Sequence, residues 1–154
     1  MNLLTLKNND MKNIPRILLV EDNEGDAVLT MEALENNVVK SDIMVIDNGE
    51  EAIRYLKLQG KYVNESLPDL ILLDLNLPKI DGREVLHFVK NNDVLKSIPV
   101  VMLTTSSLQT DIAYSYNNHA NCYIVKSSNL SEFNDSINSL EKFWIQCVTY
   151  LNKN

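Results

Sequence analysis

Five short apolar runs recur along the chain, and each is followed by a longer segment with helical periodicity. The runs are RILLV ending at Val20, IMVI ending at Ile46, LILLD ending at Asp74, VVML ending at Leu103 and CYIV ending at Val125. Continuous apolar runs are typical of strands buried on both faces, and helical crossovers make neighbouring strands parallel. The alternation therefore predicts a doubly wound α/β fold with a five-stranded parallel sheet.

The helical segments indicate one domain with five helices. They begin at Asp26, Gly49, Gly82, Ser107 and Leu130. A chain of 154 residues has the length of a single ordinary domain. We expect residues 14–154 to form this domain, after a flexible tail over residues 1–13.

Polar side chains follow the strands at the edge of the sheet where ligands bind in such folds. Glu21 and Asp22 follow the first strand, Asp74 ends the third, Thr104 follows the fourth and Lys126 follows the fifth. Taken singly, each is more simply explained as a helix cap or a solvated charge. Together, three carboxylates in one place repel one another unless a cation joins them, and oxygen ligands open to water suit Mg²⁺.

Asp74 is the candidate nucleophile of this predicted site. With Mg²⁺ bound, its carboxylate could attack phosphorus, and Lys126 would supply a second positive charge for the phosphoryl oxygens. The product would be a short-lived acyl phosphate on a residue that the third strand fixes at the edge of the sheet.

Charge and hydropathy exclude several other classes. The net charge is −7 and the chain has no basic run, which argues against a nucleic-acid partner. No segment approaches the roughly 20 consecutive apolar residues of a membrane span, and the first residues do not resemble a secretory signal. Cys122 and Cys147 fit buried thiols better than a disulfide. We therefore expect a cytoplasmic protein without a membrane partner.

Four ordered motifs resemble the receiver domain of two-component response regulators across residues 15 to 140. They are ILLVEDNEGD, PDLILLDLNLPKIDG, IPVVMLTTSS and CYIVKSSN. The details VEDNEGD, DLNLPKIDGREVL and the serine after Lys126 resemble the single-domain receivers that serve phytochrome-type histidine kinases. The resemblance implies a flavodoxin-like sheet in the order 2-1-3-4-5.

The resemblance also implies a role for each residue of the site. Asp74 would accept the phosphoryl group, and Thr104 and Lys126 would contact it. The Mg²⁺ ligands would be Asp22, Asp74 and the Asn76 carbonyl, with Glu21 acting through water. Tyr123 would move inward together with Thr104, while Asn76 and Ser106 would tune dephosphorylation. Ser127 stands where most members have proline, and Glu21 stands where many have aspartate.

The last helix is predicted to be long, over about residues 130–151. Its apolar residues follow spacings of three and four through Leu130, Phe133, Ile137, Leu140, Trp144, Cys147 and Leu151. A helix of this length would overhang the sheet, so its end could form a homodimer or fold back over its own domain. The candidate dimer residues are Phe143, Trp144, Cys147, Val148 and Leu151.

The leading hypothesis is a response regulator that takes phosphate from a histidine kinase or a histidine phosphotransfer protein. It would catalyse only its own phosphorylation and dephosphorylation, and its output would be a protein contact, since no effector domain follows the receiver. A degenerate receiver that acts as a scaffold is one alternative. A phosphatase of the haloacid-dehalogenase type is another, but Asn76 occupies the place where that family needs a second aspartate as general acid.

Overall fold

The computed structural model describes residues 14–35 and 40–147, with side chains up to Ile145. The predicted tail over residues 1–13 lies outside the described residues. The strands are β1 Arg16–Val20, β2 Asp42–Ile46, β3 Leu70–Leu73, β4 Val100–Thr104 and β5 Cys122–Val125. The helices are α1 Glu24–Glu35, α2 Gly49–Leu56, α3 Gly82–Lys90, α4 Gln109–Asn117 and α5 Leu130–Leu140, with a short 3₁₀ turn at Gly60–Tyr62.

All five strands run parallel in the order β2-β1-β3-β4-β5, which confirms the predicted fold and sheet order. β1, β3 and β4 are almost completely buried because they present apolar side chains to both faces of the sheet. In β3, for example, Ile71 and Leu73 join the core under α2 and α3. Leu70 and Leu72 join the core under α1 and α5. The continuous apolar runs in the sequence reflect this two-sided burial.

Local capping explains where three of the helices begin. The side chains of Asn48, Asp81 and Asn129 accept hydrogen bonds from the free backbone N–H groups of the first turns of α2, α3 and α5. Each cap lies after the carboxyl end of a strand or in the loop that follows it. The helix starts are therefore grouped around the edge of the sheet that carries the polar residues.

The end of the last helix differs from the predicted continuous α-helix. After α5, residues Glu141–Cys147 form a π-helix, in which each backbone bond spans five residues instead of four. The buried apolar positions then run Phe133, Ile137, Leu140 and Ile145. Within the described residues the predicted three-and-four spacing is wrong at Leu130, which is 55% exposed, and Ile145 is buried outside that spacing, while Trp144 is partly buried against the same core.

Within the described ranges, no helix combines the length and the apolar character that crossing a lipid bilayer would require.

Candidate functional site

Three carboxylates meet at the carboxyl edge of β1 and β3. The backbone N–H of Asp74 donates to the Val20 carbonyl at 3.1 Å, so Asp74 sits beside the end of β1. Glu21 and Asp22 come directly after that strand. One carboxylate oxygen from each of Glu21, Asp22 and Asp74 lies within 4.8 Å of the other two. The adjacency of the two strands, which are distant in sequence, thus creates the predicted acidic cluster.

Lys126 joins this cluster from the end of β5. Its backbone N–H donates to the Thr104 carbonyl at 2.7 Å, which fixes the start of the loop. Its ammonium group contacts the carboxylates of Glu21, Asp74 and Asp26, and the last two distances are both 3.1 Å. An ammonium has three N–H donors, so each donor has a carboxylate partner. The Lys126 side chain is only 4% exposed.

Burial and neighbouring charge shift the pKa values of Glu21 and Lys126 in opposite directions. Burial raises the pKa of Glu21 to about 7, although the hydrogen bond and charge of Lys126 oppose the shift. Burial alone would lower the pKa of Lys126, but the Glu21 hydrogen bond and the charges of Asp74 and Glu21 outweigh it, and the pKa is raised. Lys126 is therefore held in its charged form, and the cluster retains excess negative charge.

The cluster fits a divalent cation by the chemistry of its donors. All three candidate ligands are carboxylate oxygens, which are the preferred ligands of hard cations such as Mg²⁺. Glu21 and Asp74 are buried, whereas Asp22 is exposed, so one side of the cluster is open to solvent. Lys126 neutralises only part of the charge. A cation held by these carboxylates would therefore be accessible to water from the side of Asp22.

The loop after Asp74 is packed tightly against two helix starts. The Asn76 backbone N–H donates to Asp74 Oδ1 at 3.3 Å, and the Asn76 residue itself is exposed. A Cβ added to Gly82 would lie 2.0 Å from the Asp74 carbonyl oxygen, and one added to Gly49 would lie 1.9 Å from the Ile80 carbonyl oxygen. These glycines are needed for close backbone approach, which fixes the loop that carries Asp74.

Thr104, Ser106 and Tyr123 lie together on the other side of the site. Thr104 is fully buried, and its hydroxyl oxygen accepts a hydrogen bond from the Ser106 backbone N–H at 3.4 Å. The Tyr123 hydroxyl donates to the Ser106 carbonyl at 2.8 Å, and its ring is partly buried against the core. The structure therefore links the predicted switch pair through the loop that follows β4.

The residue after Lys126 contributes to the start of α5. The Ser127 hydroxyl donates to Glu132 at 2.6 Å and accepts the Asn129 backbone N–H at 3.1 Å. This serine thus takes part in a capping arrangement that a proline at the same position could not form.

Sequence reasoning missed three residues around the site. Asp26, in the first turn of α1, supplies the third carboxylate to Lys126. Helical spacing after the acidic pair would have indicated it, because α1 begins at the same edge of the sheet. Arg83 and Asp111 form an ion pair between α3 and α4 that reaches Ser106. No local pattern predicts this pair, since its partners lie 28 residues apart.

The candidate dimer residues are only partly described. Phe143 is 57% exposed, and its ring meets that of Trp144 edge-on at 5.3 Å between ring centres. A shallow cavity of about 400 Å³ lies beside them and is lined in part by Cys122, Ile124 and Leu140. Val148, Leu151 and the Cys147 side chain fall outside the described residues.

The sequence and fold match known proteins over most of their length. The family model for the "Response regulator receiver domain" matches residues 17–138. The response regulator Rcp1 of a Synechocystis species is 46% identical over 141 residues, which cover 91% of this chain and 96% of the relative. The probable methanogenesis regulatory protein FilR2 of Methanothrix harundinacea is 40% identical and matches over 84% of this chain and 83% of its own length.

Two solved structures are similar throughout. The phosphorylated cyanobacterial phytochrome response regulator RcpA has 49% sequence identity and a TM-score of 0.87, covering 90% of this chain and 99% of its own. The Mn²⁺-bound form of Rcp1 has 45% identity and the same TM-score, with the same coverage.

Proposed function

Because this chain belongs to the response regulator receiver family and is closely related to the cyanobacterial phytochrome response regulators, we propose that it accepts a phosphoryl group on Asp74. The donor is a histidine kinase of the phytochrome type or a histidine phosphotransfer protein. The observation that carries the proposal is the position of Asp74, which is nearly buried at the end of β3 with the Lys126 ammonium 3.1 Å from its Oδ2.

Mg²⁺ is the proposed cofactor. Asp22 and Asp74 would hold it together with the Asn76 backbone carbonyl, with Glu21 acting through water; the carboxylate oxygens of these three acidic residues lie within 4.8 Å of one another. When bound, the ion neutralises phosphoryl oxygens and so favours attack by an anionic nucleophile. The similar structure of Rcp1 is a Mn²⁺-bound form, which supports a divalent ion at this site.

Asp74 and Lys126 carry out the transfer of the phosphoryl group. A carboxylate oxygen of Asp74 attacks phosphorus, the P–N bond to the donor histidine breaks, and the leaving imidazole keeps the electron pair and takes a proton. Lys126 stays charged and turns toward the phosphoryl oxygens, where it stabilises the charge of the transition state. Attack by water on the same phosphorus later restores the Asp74 carboxylate and releases inorganic phosphate. The chain thus catalyses only its own modification.

The signal arises from the loop after β4. The phosphoryl group offers new acceptor oxygens, and the Thr104 hydroxyl moves to bind one of them. Since Ser106 contacts both Thr104 and Tyr123, this movement is coupled to the inward position of the Tyr123 ring and changes the surface around α4 and β5. Asn76 and Ser106 flank the path of the attacking water and tune the lifetime of the phosphoryl group.

The first test is intact-mass spectrometry after incubation with acetyl phosphate, with and without Mg²⁺. One added phosphoryl group is expected for the unmodified chain with Mg²⁺ and none for Asp74→Asn. Asp93→Asn is the matched control, because the Asp93 side chain is 95% exposed and forms its ion pair far from the site. Absence of an adduct, together with no binding of the phosphoryl mimic beryllofluoride, would contradict the proposal and favour a scaffold role.

A homodimer through the C-terminal helix is a second part of the proposal. Phe143 and the neighbouring cavity offer apolar surface at the edge of the sheet, next to β5. Sedimentation velocity of Phe143→Asp should show a smaller mass than the unmodified chain. Val63→Asp is the control, because Val63 is 65% exposed at a distant loop. A monomeric mass for the unmodified chain would remove the dimer, and equal dimeric masses for all three proteins would exclude Phe143 from its interface.

We also place the protein in the cytoplasm. The thiol of Cys122 is free, which suits a reducing compartment. Cell fractionation of a tagged chain would test this location, and recovery in a membrane or secreted fraction would contradict it.

A further inference from the structure

Asp26 is an acidic residue beside the site that has no part in the phosphoryl chemistry described above. It lies in the first turn of α1, and its Oδ2 accepts a hydrogen bond from the Lys126 ammonium at 3.1 Å. Among the described residues, the acidic group that could hold a cation consists of Glu21, Asp22 and Asp74 and does not include Asp26. Any effect of Asp26 on the site must therefore come through Lys126 or through its own charge.

The backbone of Asp26 is held on both sides. Its N–H donates to Asn23 Oδ1 at 2.9 Å, and its carbonyl accepts the Thr30 hydroxyl at 2.8 Å. Because Thr30 is only 1% exposed, this turn of α1 is packed against the protein interior. The Asp26 carboxylate thus projects from a fixed backbone position toward Lys126.

The position of the Lys126 ammonium does not depend on Asp26. Its other two partners, Glu21 and Asp74, have side chains that are 2% and 10% exposed, and the Lys126 side chain itself is 4% exposed. The Asp26 side chain is 33% exposed. Two buried carboxylates therefore hold the ammonium in place, and the loss of the Asp26 carboxylate removes a negative charge without releasing Lys126.

The charge of Asp26 is close to the atom that receives the phosphoryl group. Asp26 Oδ2 and Asp74 Oδ2 both lie 3.1 Å from the Lys126 ammonium nitrogen, so these two oxygens are at most about 6 Å apart, a distance at which charges interact strongly. A negative charge here attracts a cation among the carboxylates. It repels an anionic phosphoryl group at Asp74, and it offsets part of the positive charge that Lys126 offers to that group.

We propose that Asp26 sets the balance between the two species that bind at the site: its charge strengthens the binding of the divalent cation and weakens the binding of the phosphoryl group. The proposal rests on the proposed function, since it concerns the cation and the phosphoryl group of that same site. The two effects have opposite signs because the two bound species have opposite charges.

The test compares the full chain with Asp26→Asn, which keeps the shape of the side chain and removes its charge. In calorimetric titration, the Mg²⁺ dissociation constant should rise about threefold to tenfold, the size that Coulomb's law gives for a unit charge about 6 Å away in a largely aqueous medium. At saturating Mg²⁺, beryllofluoride should bind more tightly by a similar factor. The rate constant for phosphorylation by acetyl phosphate, which is also an anion, should increase. A purely structural role would instead weaken the binding of both species or of neither.

Glu24→Gln is the matched control, because Glu24 is exposed and lies in the same first turn of α1. It removes an equal charge and should change each affinity by less than about twofold, since solvent and salt screen an exposed charge. Asp26→Glu keeps the charge and should leave both affinities close to those of the unmodified chain.

Three results would count against the proposal or its premise. An unchanged Mg²⁺ affinity in Asp26→Asn, or beryllofluoride binding that weakens together with Mg²⁺ binding, would overturn the role of Asp26. If the unmodified chain binds Mg²⁺ but takes neither beryllofluoride nor a phosphoryl group, the proposed function itself fails. The Mg²⁺ titrations then still test Asp26, because equal affinities of Asp26→Asn and Glu24→Gln would show that its charge does not reach the cation.

Discussion

Lys126 is the residue on which the electrostatic balance of the site depends. It is the shared partner of Glu21, Asp26 and Asp74, and burial leaves those charges poorly screened by solvent. Lys126→Met should therefore lower the free energy of unfolding by about 3 kcal/mol in the absence of metal, the usual cost of removing one partner of a buried ion pair. Urea unfolding at pH 7.5 in EDTA measures this change.

The control for Lys126 is Lys96→Met, which removes an exposed ion pair with Asp93 and should cost less than about 1 kcal/mol. Equal stability of the two variants would mean that the carboxylates of the site tolerate one another without Lys126.

Asp111 gives the molecule a pH-dependent contribution to stability. Its pKa lies below the ordinary value of 3.8, because the Ser106 hydroxyl and then the Arg83 guanidinium stabilise the ionised form. A lowered pKa in the folded state means that the unfolded chain binds the proton more readily, so the contribution is complete above about pH 5 and is lost progressively as the pH falls through the unfolded and then the folded pKa. The stability advantage over Asp111→Asn should shrink over that acidic range in urea unfolding. An advantage that stayed constant with pH would indicate that charge does not contribute.

At the residue scale, the sequence was sufficient to place side chains that end a strand or directly follow it. Asp74, Thr104 and Lys126 were predicted because parallel strands end at one edge, whatever their separation in sequence. Asp26 was missed because it reaches the site from a helix one turn beyond the strand end. Arg83 and Asp111 were missed because the packing of two helices, and not a local pattern, brings them together.

At the scale of elements, two glycines at helix starts fix the Asp74 loop. Gly82→Ala should destabilise the protein by at least about 2 kcal/mol, because the added carbon would meet backbone atoms of Asp74 and Leu75 that cannot move aside. Gly25→Ala is the matched control, since its added carbon would meet only the Asn23 side chain at 3.3 Å. Urea unfolding should find Gly25→Ala neutral or more stable by up to about 1 kcal/mol.

The π-helix that follows α5 leads to a further prediction at this scale. Ile145 is 6% exposed and Phe143 is 57% exposed. Ile145→Ala should therefore cost about 2 to 4 kcal/mol of unfolding free energy, and Phe143→Ala should cost well under 1 kcal/mol in dilute protein. A continuous α-helix with the predicted spacing would bury Trp144 in the core instead of Ile145. A larger loss for Trp144→Ala than for Ile145→Ala would support the predicted heptad spacing over the observed one.

The sequence could not have predicted that change of helical repeat. Its apolar residues fit a spacing of three and four up to Leu151, so a regular α-helix was the simplest interpretation. The π-helix forms in place of a regular α-helix because its wider turn after Leu140 brings Ile145 to the core beneath α1 and α5. Tertiary packing here overrides a local periodicity.

At the scale of the whole molecule, metal binding should stabilise the fold. An ion that binds the folded chain alone, at a concentration one hundred times its dissociation constant, adds about 2.7 kcal/mol to the free energy of unfolding. Thermal unfolding in MgCl₂, compared with NaCl of equal ionic strength, should therefore give a higher midpoint. Asp22→Asn should lose much of this gain, whereas a gain that survived would indicate non-specific binding to a chain of net charge −7.

The architecture as a whole was predictable because it depends on a repeated pattern and not on single contacts. Buried strands such as Leu70–Leu73 carry apolar side chains on both faces, and five apolar runs with helices between them leave few alternative folds. The order of the strands came from the resemblance to receivers. The helix starts agree with the predicted ones to within two residues, as at α1, which begins at Glu24 and not at Asp26.

The two sides of the site are held by different kinds of contact. Under the proposed function, this difference separates the residues that set the phosphoryl chemistry from those that set the lifetime of the phosphorylated state. On the Asp74 side, Gly49 and Gly82 pack backbone against backbone, so that any side chain added at these two positions would clash. The Ser106 side rests on hydroxyl and carboxylate contacts that can be exchanged one at a time. Related proteins could thus keep the same chemistry while each acquires its own signal duration, matched to the pace of the stimulus it reports.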